Sequence, residues 1–312
     1  MNSYHPSNTI PAAGILFLLA LLVFGAGLGV LTFFVSKLVY LVILFPILLG
    51  FACGFIAQTA VKIGKVRSPI VAAVFTVLMV LIMYGTVRMC EYLDFKQQLR
   101  TMIVEEYGET DQALIDEFEN AVLEDETGQT GLLGFVAYEA KEGESFTRLS
   151  DTDGSSGISI SGVGAYIYWF IEILIIAGIA LSMVIKQART PFCETCDRWY
   201  GGDYYFGALP MSEKETVKAA FESGVFSPIT KQLHKSANLP AIGFYLNICP
   251  QCQTSDAVFT AKLLSVGSKG KINESKFKEA VIPMNTAREL ERAVVNNDAV
   301  SVRGGPITQT PA

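Results

Sequence analysis

Up to Ile185 the chain is dominated by long apolar runs separated by short polar breaks. Ala12 to Val35 and Leu38 to Val61 carry no charged residue, and each exceeds the ~20 residues that a helix needs to cross a hydrocarbon core. Only Ser36 and Lys37 separate them, which predicts a transmembrane hairpin over 12–61 (12–35 and 38–61). A third run begins at Ile70 and predicts a helix over 70–89. A fourth, between Ile158 and Ile185 with Glu172 as its sole charge, predicts a helix over 161–185. A cleaved signal peptide is a poor match to the first run, which is longer than an h-region and is preceded by no Lys or Arg.

Between the third and fourth runs, Leu114, Phe118, Ala121 and Val122 form an apolar stripe. They predict an amphipathic helix over Thr110 to Glu126, capped by Thr110 or Asp111. Gly131 to Tyr138 reads as a short apolar segment that rests on the membrane surface or covers that helix. Ser150 to Gly157 reads as a linker. After the fourth run the pattern changes to short alternating stretches, with strands expected at Trp199 to Phe206, Ala241 to Ile248 and Ala257 to Val266. Ser212-Glu213-Lys214-Glu215 is a capping box that opens a helix through about Phe221. Pro228 to Lys235 is a candidate for another, and Thr286 to Val295 for the last, before a loose tail at 303–312.

The cysteines give this C-terminal region its chemistry. Cys193 and Cys196 form one Cys-x-x-Cys pair, Cys249 and Cys252 another, and four thiolates are the donor set of a closed structural zinc site. Thiol–disulfide exchange is the competing chemistry, but it calls for a pair at a helix N-terminus, and here aromatic strand residues flank the pairs. The expected cofactor is therefore structural Zn2+, and four sulfurs leave no open position for a catalytic water. The fold class is an α-helical integral membrane protein of four transmembrane helices plus a small α+β zinc-ribbon-like domain at 186–302. A helical insertion is expected at about 207–240. Cys53 and Cys90 read as packing residues.

Charge sets the expected topology. From Glu91 to Ile160 there are 17 acidic and 4 basic residues, and from Lys186 onward 12 acidic and 15 basic. One helix separates these regions, so they lie on opposite sides of a bilayer. Lys62, Lys65, Arg67, Lys186, Arg189 and Arg198 outnumber Lys37, Arg88, Lys96 and Arg100 near the helix ends, which places the basic side in the cytosol. Reduced Cys-x-x-Cys pairs favour the same compartment. The N-terminus at 1–11, the basic loop at 62–69 and the C-terminal domain are then cytosolic, and the acidic region at 90–160 is extracytoplasmic. The first ten residues read as polar and loose.

Within the apolar runs, Gly25 and Gly29, and Gly50 and Gly54, have the GxxxG spacing that lets helix backbones approach closely. Pro46 is expected to kink the second helix. Glu172 inside the fourth run needs a partner, and Arg88, near the same end of the third, is expected to pair with it.

Gly64-Lys65-Val66-Arg67-Ser68-Pro69, Gly134-Phe135-Val136-Ala137-Tyr138 and Phe192-Cys193-Glu194-Thr195-Cys196 followed by Trp199-Tyr200 resemble motifs of an uncharacterised bacterial family of polytopic membrane proteins. That family has a cytosolic Cys-x-x-Cys domain after its last helix. The resemblance covers scattered parts of roughly the first 200 residues; it implies a cell inner-membrane location and brings no activity.

Other chemistry is thin. The two histidines are His5 and His234, no phosphate-cradling GxxxxGK[ST] loop occurs, and the weak positive charge of the C-terminal region argues against nucleic acid. Gly267-Ser268-Lys269-Gly270-Lys271 reads as a basic turn, and the acids around Asp151-Thr152-Asp153-Gly154 lack the closing Glu of a calcium loop. The leading expectation is a non-enzymatic membrane protein, with the lipid bilayer as its solvent. Its zinc ribbon would dock a protein partner or another copy, with Trp199 and Tyr200 as candidate docking residues. A small transporter or channel using Glu172 is the alternative, followed by a membrane thiol–disulfide oxidoreductase.

Overall fold

The computed structural model describes residues 3–38, 44–108, 111–146, 158–252, 254–267 and 270–304. It divides into two compact units, Asn8–Ala188, and Met1–Ser7 with Arg189–Ala312.

The first unit contains α1 (Ala12–Ser36), α2 (Leu44–Ile63), α3 (Pro69–Tyr107), α4 (Gln112–Thr127), α5 (Gly131–Glu142), the two-stranded β1 (Glu144–Phe146) and β2 (Ile158–Ile160), and α6 (Val163–Ala188). Helices α1, α2, α3 and α6 are each long and apolar enough to cross a membrane, and only 28–33% of each apolar window is buried. Much of the remainder is exposed apolar surface such as Phe24, Phe55, Ile70 and Phe170, which is costly in water and not in hydrocarbon. Their shared interior holds small and flexible side chains, among them Leu21, Cys53, Ala57, Met79, Met83 and Ala180.

Both glycine pairs make close helix contacts, each with a later helix. A Cβ on Gly25 would lie 2.7 Å from the Met79 carbonyl oxygen, and one on Gly29 only 2.5 Å from that of Met83, so α1 packs on α3 backbone to backbone. Gly50 and Gly54 face Ile176, Ile179, Ala180 and Met183 of α6. The two helices of the expected hairpin thus pack mainly on later helices, α1 on α3 and α2 on α6, and less on each other. A G29V substitution is expected to force α1 away from α3 and cost about 1–3 kcal/mol; thermal unfolding in detergent reads it, and an unchanged midpoint would contradict the close contact.

Several expectations change. Pro46 is the third residue of α2 as described, and the carbonyl one turn before it, on which the expected kink turns, lies outside the described residues. Residues 39–43 of the expected second span lie outside the described residues. Helix α3 continues well past residue 89, and Tyr92 and Phe95 on its extension pack against Phe135 of α5. The 131–138 segment thus covers α3 and α4 as a helix.

On α4, Asp111 supplies the cap by accepting the Ala113 N–H at 3.0 Å, while Thr110 and the 150–157 linker lie outside the described residues. The buried face of α4 is Ile115, Glu119 and Leu123, leaving Leu114, Phe118 and Ala121 exposed. Lys96 explains the rotation, because its ammonium pairs with the buried Glu119 carboxylate at 3.0 Å and with Asp116 at 3.1 Å. The chain start is also tied: Tyr4 Oη accepts the Phe192 N–H at 3.3 Å in the second unit, and Thr9 O accepts the Arg67 N–H at 3.0 Å in the first.

In the second unit, the short antiparallel pair β3 (Phe192–Cys193) and β4 (Arg198–Trp199) precedes a four-stranded antiparallel sheet. Its strands are β5 (Tyr204–Pro210), β6 (Ala241–Asn247), β7 (Ala257–Val266) and β8 (Ile272–Ile282), paired in that order. Helices α7 (Lys214–Ser223) and α8 (Ser227–Thr230) lie between β5 and β6, and α9 (Met284–Gly304) follows β8.

One sheet face, with Ile242, Phe244, Leu246, Phe259, Ala261 and Ile282, is covered by Val217, Phe221, Ile229, Leu290 and Val294 of these helices. The segment expected as an insertion is therefore part of the core. Its apolar helix faces are what bury the sheet, which makes this unit larger than a metal ribbon alone. The opposite face carries Tyr205, Tyr245, Lys262 and Glu274, linked by Tyr245 Oη donating to Glu274 at 2.8 Å and Lys262 Nζ at 3.2 Å from the same carboxylate.

These two donors hold the Glu274 carboxyl below its ordinary range, the Tyr245 hydroxyl foremost. A carboxyl lowered on folding contributes stability that is present above its unfolded pKa of ~4.3 and is lost as pH falls through the folded value. In E274Q, pH titration of stability should show a shallower acid limb, by less than about 1 kcal/mol at this exposed site. An unaltered limb would remove Glu274 from the account.

Candidate functional site

The four paired cysteines converge although 52 residues separate the two pairs. Cys193 ends β3, and Cys196 lies in the tight turn that returns to β4, where Asp197 takes a positive φ of 53°. Cys249 and Cys252 occupy the connection between β6 and β7. All four sulfurs lie within 4.8 Å of one another. Cys193 Sγ and Cys252 Sγ are 3.8 Å apart, which matches the edge of about 3.8 Å of a tetrahedron with metal–sulfur bonds of ~2.3 Å.

The knuckles are built to stay together. Phe192 meets Trp199 edge to face at 5.0 Å, locking the first turn. Tyr200 spans the two halves of the site, its backbone N–H bonding Pro191 O at 2.9 Å and its hydroxyl donating to Asp256 O at 2.7 Å. The Gly201 N–H reaches Ile248 O at 3.3 Å, next to Cys249. Trp199 is half-buried, and Tyr200 fastens the site together, a role that the sequence reading of both as docking residues did not include.

Cys193 and Cys249 are buried, Cys196 and Cys252 half-buried, and none is in a disulfide. Ser255 Oγ lies 3.4 Å from Cys252 Sγ, and this hydroxyl with the backbone N–H groups of Thr254 and Ser255 pulls the Cys252 thiol down to about 5. Cys196 is pushed up to about 12, chiefly by its contact with Cys252. A Cys252 thiol that ionises readily beside a Cys196 thiol that resists ionisation fits a site completed by a divalent cation, since the bound charge favours the further deprotonation. Among the described residues neither pair stands at a helix N-terminus, the setting that lowers the pKa of a redox dithiol. The cluster can hold a metal ion through Cys193, Cys196, Cys249 and Cys252.

A second constellation lies inside the helical unit. Arg88 forms ion pairs with Glu91 at 3.0 Å and Glu139 at 2.8 Å, and its guanidinium carbon sits 4.2 Å from the Trp169 ring centroid. The Tyr84 hydroxyl accepts from Arg88 at 3.3 Å and donates to Glu172 at 3.1 Å, and the Tyr168 hydroxyl donates to Glu172 at 2.8 Å. The Arg88/Glu172 pair expected from sequence is thus relayed through a phenol. Tyr84 lies one helical turn before Arg88 and intercepts it. Glu91, Glu139 and both tyrosines belong to this network and were missed; their i, i+3 and i, i+4 spacing to Arg88 and Glu172 was the available signal for all but Glu139.

His234 bonds Asp298 at 3.2 Å at the surface. Residues 268–269 of the expected basic turn and the 151–154 acids lie outside the described residues.

No protein-family model, curated protein or solved structure matches the chain.

Proposed function

We propose that the chain is a non-enzymatic multipass membrane protein whose C-terminal unit is held by one structural Zn2+ ion and docks a protein partner. Both termini are cytosolic and the α4–α5 region is external, a reading supported by the Lys and Arg bias near the helix ends and by the paired cysteines. The convergence of four sulfurs within 4.8 Å of one another, with Cys193 and Cys252 at 3.8 Å, carries the metal reading. Zinc suits four thiolates without redox chemistry, and a closed set leaves the ion a structural task.

The docking reading is supported by the sheet face away from the helices, where Tyr205 and Tyr245 lie in edge contact at 5.5 Å beside Lys262 and Glu274. Tyrosines with mixed charge suit a protein surface. A photo-crosslinking residue at Tyr205, exposed to light in intact membranes, is expected to capture a protein. Capture of lipid alone, or of nothing, would contradict the reading; a crosslinked dimer would identify the partner as another copy. Impermeant thiol reagents on whole cells should spare the C-terminal cysteines.

A transport route through Glu172 has less support. Its hydrogen-bonded string runs one way, toward Glu139, and beyond it α6 buries only Ile176, Ala180, Val184 and Ala188.

A further inference from the structure

We propose that the four-cysteine site is a peroxide-sensitive modification site as well as a metal site: oxidation links Cys196 to Cys252 in a disulfide, and the linkage releases the ion. The release rests on the reading that zinc occupies the site; the linkage does not.

Exposure divides the four sulfur-bearing residues unevenly. Cys193 and Cys249 are 2% and 0% exposed, whereas Cys196 and Cys252 are half-buried. Each Cys-x-x-Cys pair thus contributes one sealed residue and one that solvent reaches, and the two reachable ones belong to different pairs. A small oxidant arriving from water meets Cys196 and Cys252 first.

Proximity supplies the second step. All four sulfurs lie within 4.8 Å of one another, and Cys252 is the foremost contact of Cys196. Whichever of the two is oxidised has the other beside it. In the first step one thiolate attacks a peroxide oxygen, the O–O bond breaks, and a sulfenic acid and a hydroxide form. In the second, the other thiolate attacks the sulfenic sulfur, the S–O bond breaks and a second hydroxide leaves. Two thiolates and one hydrogen peroxide become one disulfide and two hydroxides, and the two electrons lost by sulfur are gained by oxygen. Only two thiolates then remain, too few for a closed tetrahedral site.

The surroundings make the change local and reversible. The Tyr200 hydroxyl donates to Asp256 O and the Gly201 N–H to Ile248 O, so the halves of the site are also joined by bonds that involve no sulfur. The core under the sheet, built on Phe244, Phe259 and Leu290, contains no cysteine. Reduction therefore returns the thiols to a site whose frame has persisted. In a reducing compartment such a disulfide is transient, which is how a redox sensor behaves.

The test uses the full chain in neutral maltoside detergent, loaded with zinc and carrying C90S to remove the half-buried thiol of α3. It is titrated with hydrogen peroxide while a chelating dye reads free zinc and peptide mass mapping reads every cysteine. One zinc should be released per disulfide formed, and the linked peptide should join Cys196 to Cys252. The buried Cys53 should oxidise at least tenfold more slowly. Amide exchange should find β6 and β7 still protected, and dithiothreitol with added zinc should restore the metal-bound form.

Zinc retained in the presence of excess peroxide would overturn the proposal. So would a disulfide within either Cys-x-x-Cys pair, sulfinic or sulfonic acid without a linkage, or a linkage that dithiothreitol and zinc do not reverse. A reduced chain that takes up no zinc would instead overturn the metal reading, and the release with it. The peptide map keeps the two failures apart, because it reads the linkage without any ion.

Discussion

Replacing Cys249 with serine is expected to abolish metal binding and melt the sulfur-bearing end of the C-terminal unit. Cys249 is fully buried, and it joins the end of β6 to the turn that carries Cys252. Without it, three sulfurs remain and the two knuckles lose their common tie. Metal content should fall from about one equivalent to below about 0.1, and the apparent stabilisation at risk is bounded by the ~10–16 kcal/mol that zinc gives zinc-finger peptides. The actual loss should be smaller, because the sheet has a core of its own in Phe244, Phe259 and Leu290. Elemental analysis and amide exchange on one sample check both parts. The strands β3 and β4 should exchange freely while β6 and β7 stay protected; metal retained at one equivalent would refute the assignment.

Phe259→Ala should show the converse. Phe259 stacks on Phe221 at 4.9 Å and on Phe244 at 5.5 Å, and meets Phe226 edge to face at 5.2 Å. Removing a fully buried ring from that position leaves a cavity between sheet and helices, costing about 3–5 kcal/mol. Chemical denaturation of the full chain with the four-cysteine site loaded with metal would read it as a lower midpoint, with amide exchange locating the loss in β6–β7 and α7. A loss below about 1 kcal/mol would mean that the metal, not the aromatic core, carries this unit.

The sequence made some features legible and hid others for physical reasons. Apolar runs of 24 uncharged residues and four cysteines in two tight pairs are signals that few arrangements produce, and both correspond to structural features. The glycine spacing told which surfaces of α1 and α2 are narrow, yet a narrow surface does not name its neighbour, and the neighbours are α3 and α6. Strand β8 went unread because it is an edge strand: Glu274, Lys276, Lys278 and Glu279 interrupt its apolar pattern, and only Ala280 and Ile282 are buried. Charges of that kind protect an open edge from pairing with other chains.

The face of α4 was misread for a related reason. Its buried stripe is centred on Glu119, an acid that a periodicity argument assigns to solvent, and the compensating Lys96 lies on α3. Pairing between distant charges leaves no local trace. The Tyr84 relay is similar, since its spacing to Arg88 was visible in the sequence while the bond from its hydroxyl to Glu172 on α6 was not.

The central claim is that one divalent cation is held by Cys193, Cys196, Cys249 and Cys252. X-ray absorption at the zinc edge, on full-length protein purified without added metal, tests it most directly. The account predicts one zinc per chain with four sulfur neighbours at ~2.3 Å. A shell containing nitrogen or oxygen, or a folded, metal-free protein whose four thiols titrate freely, would contradict it.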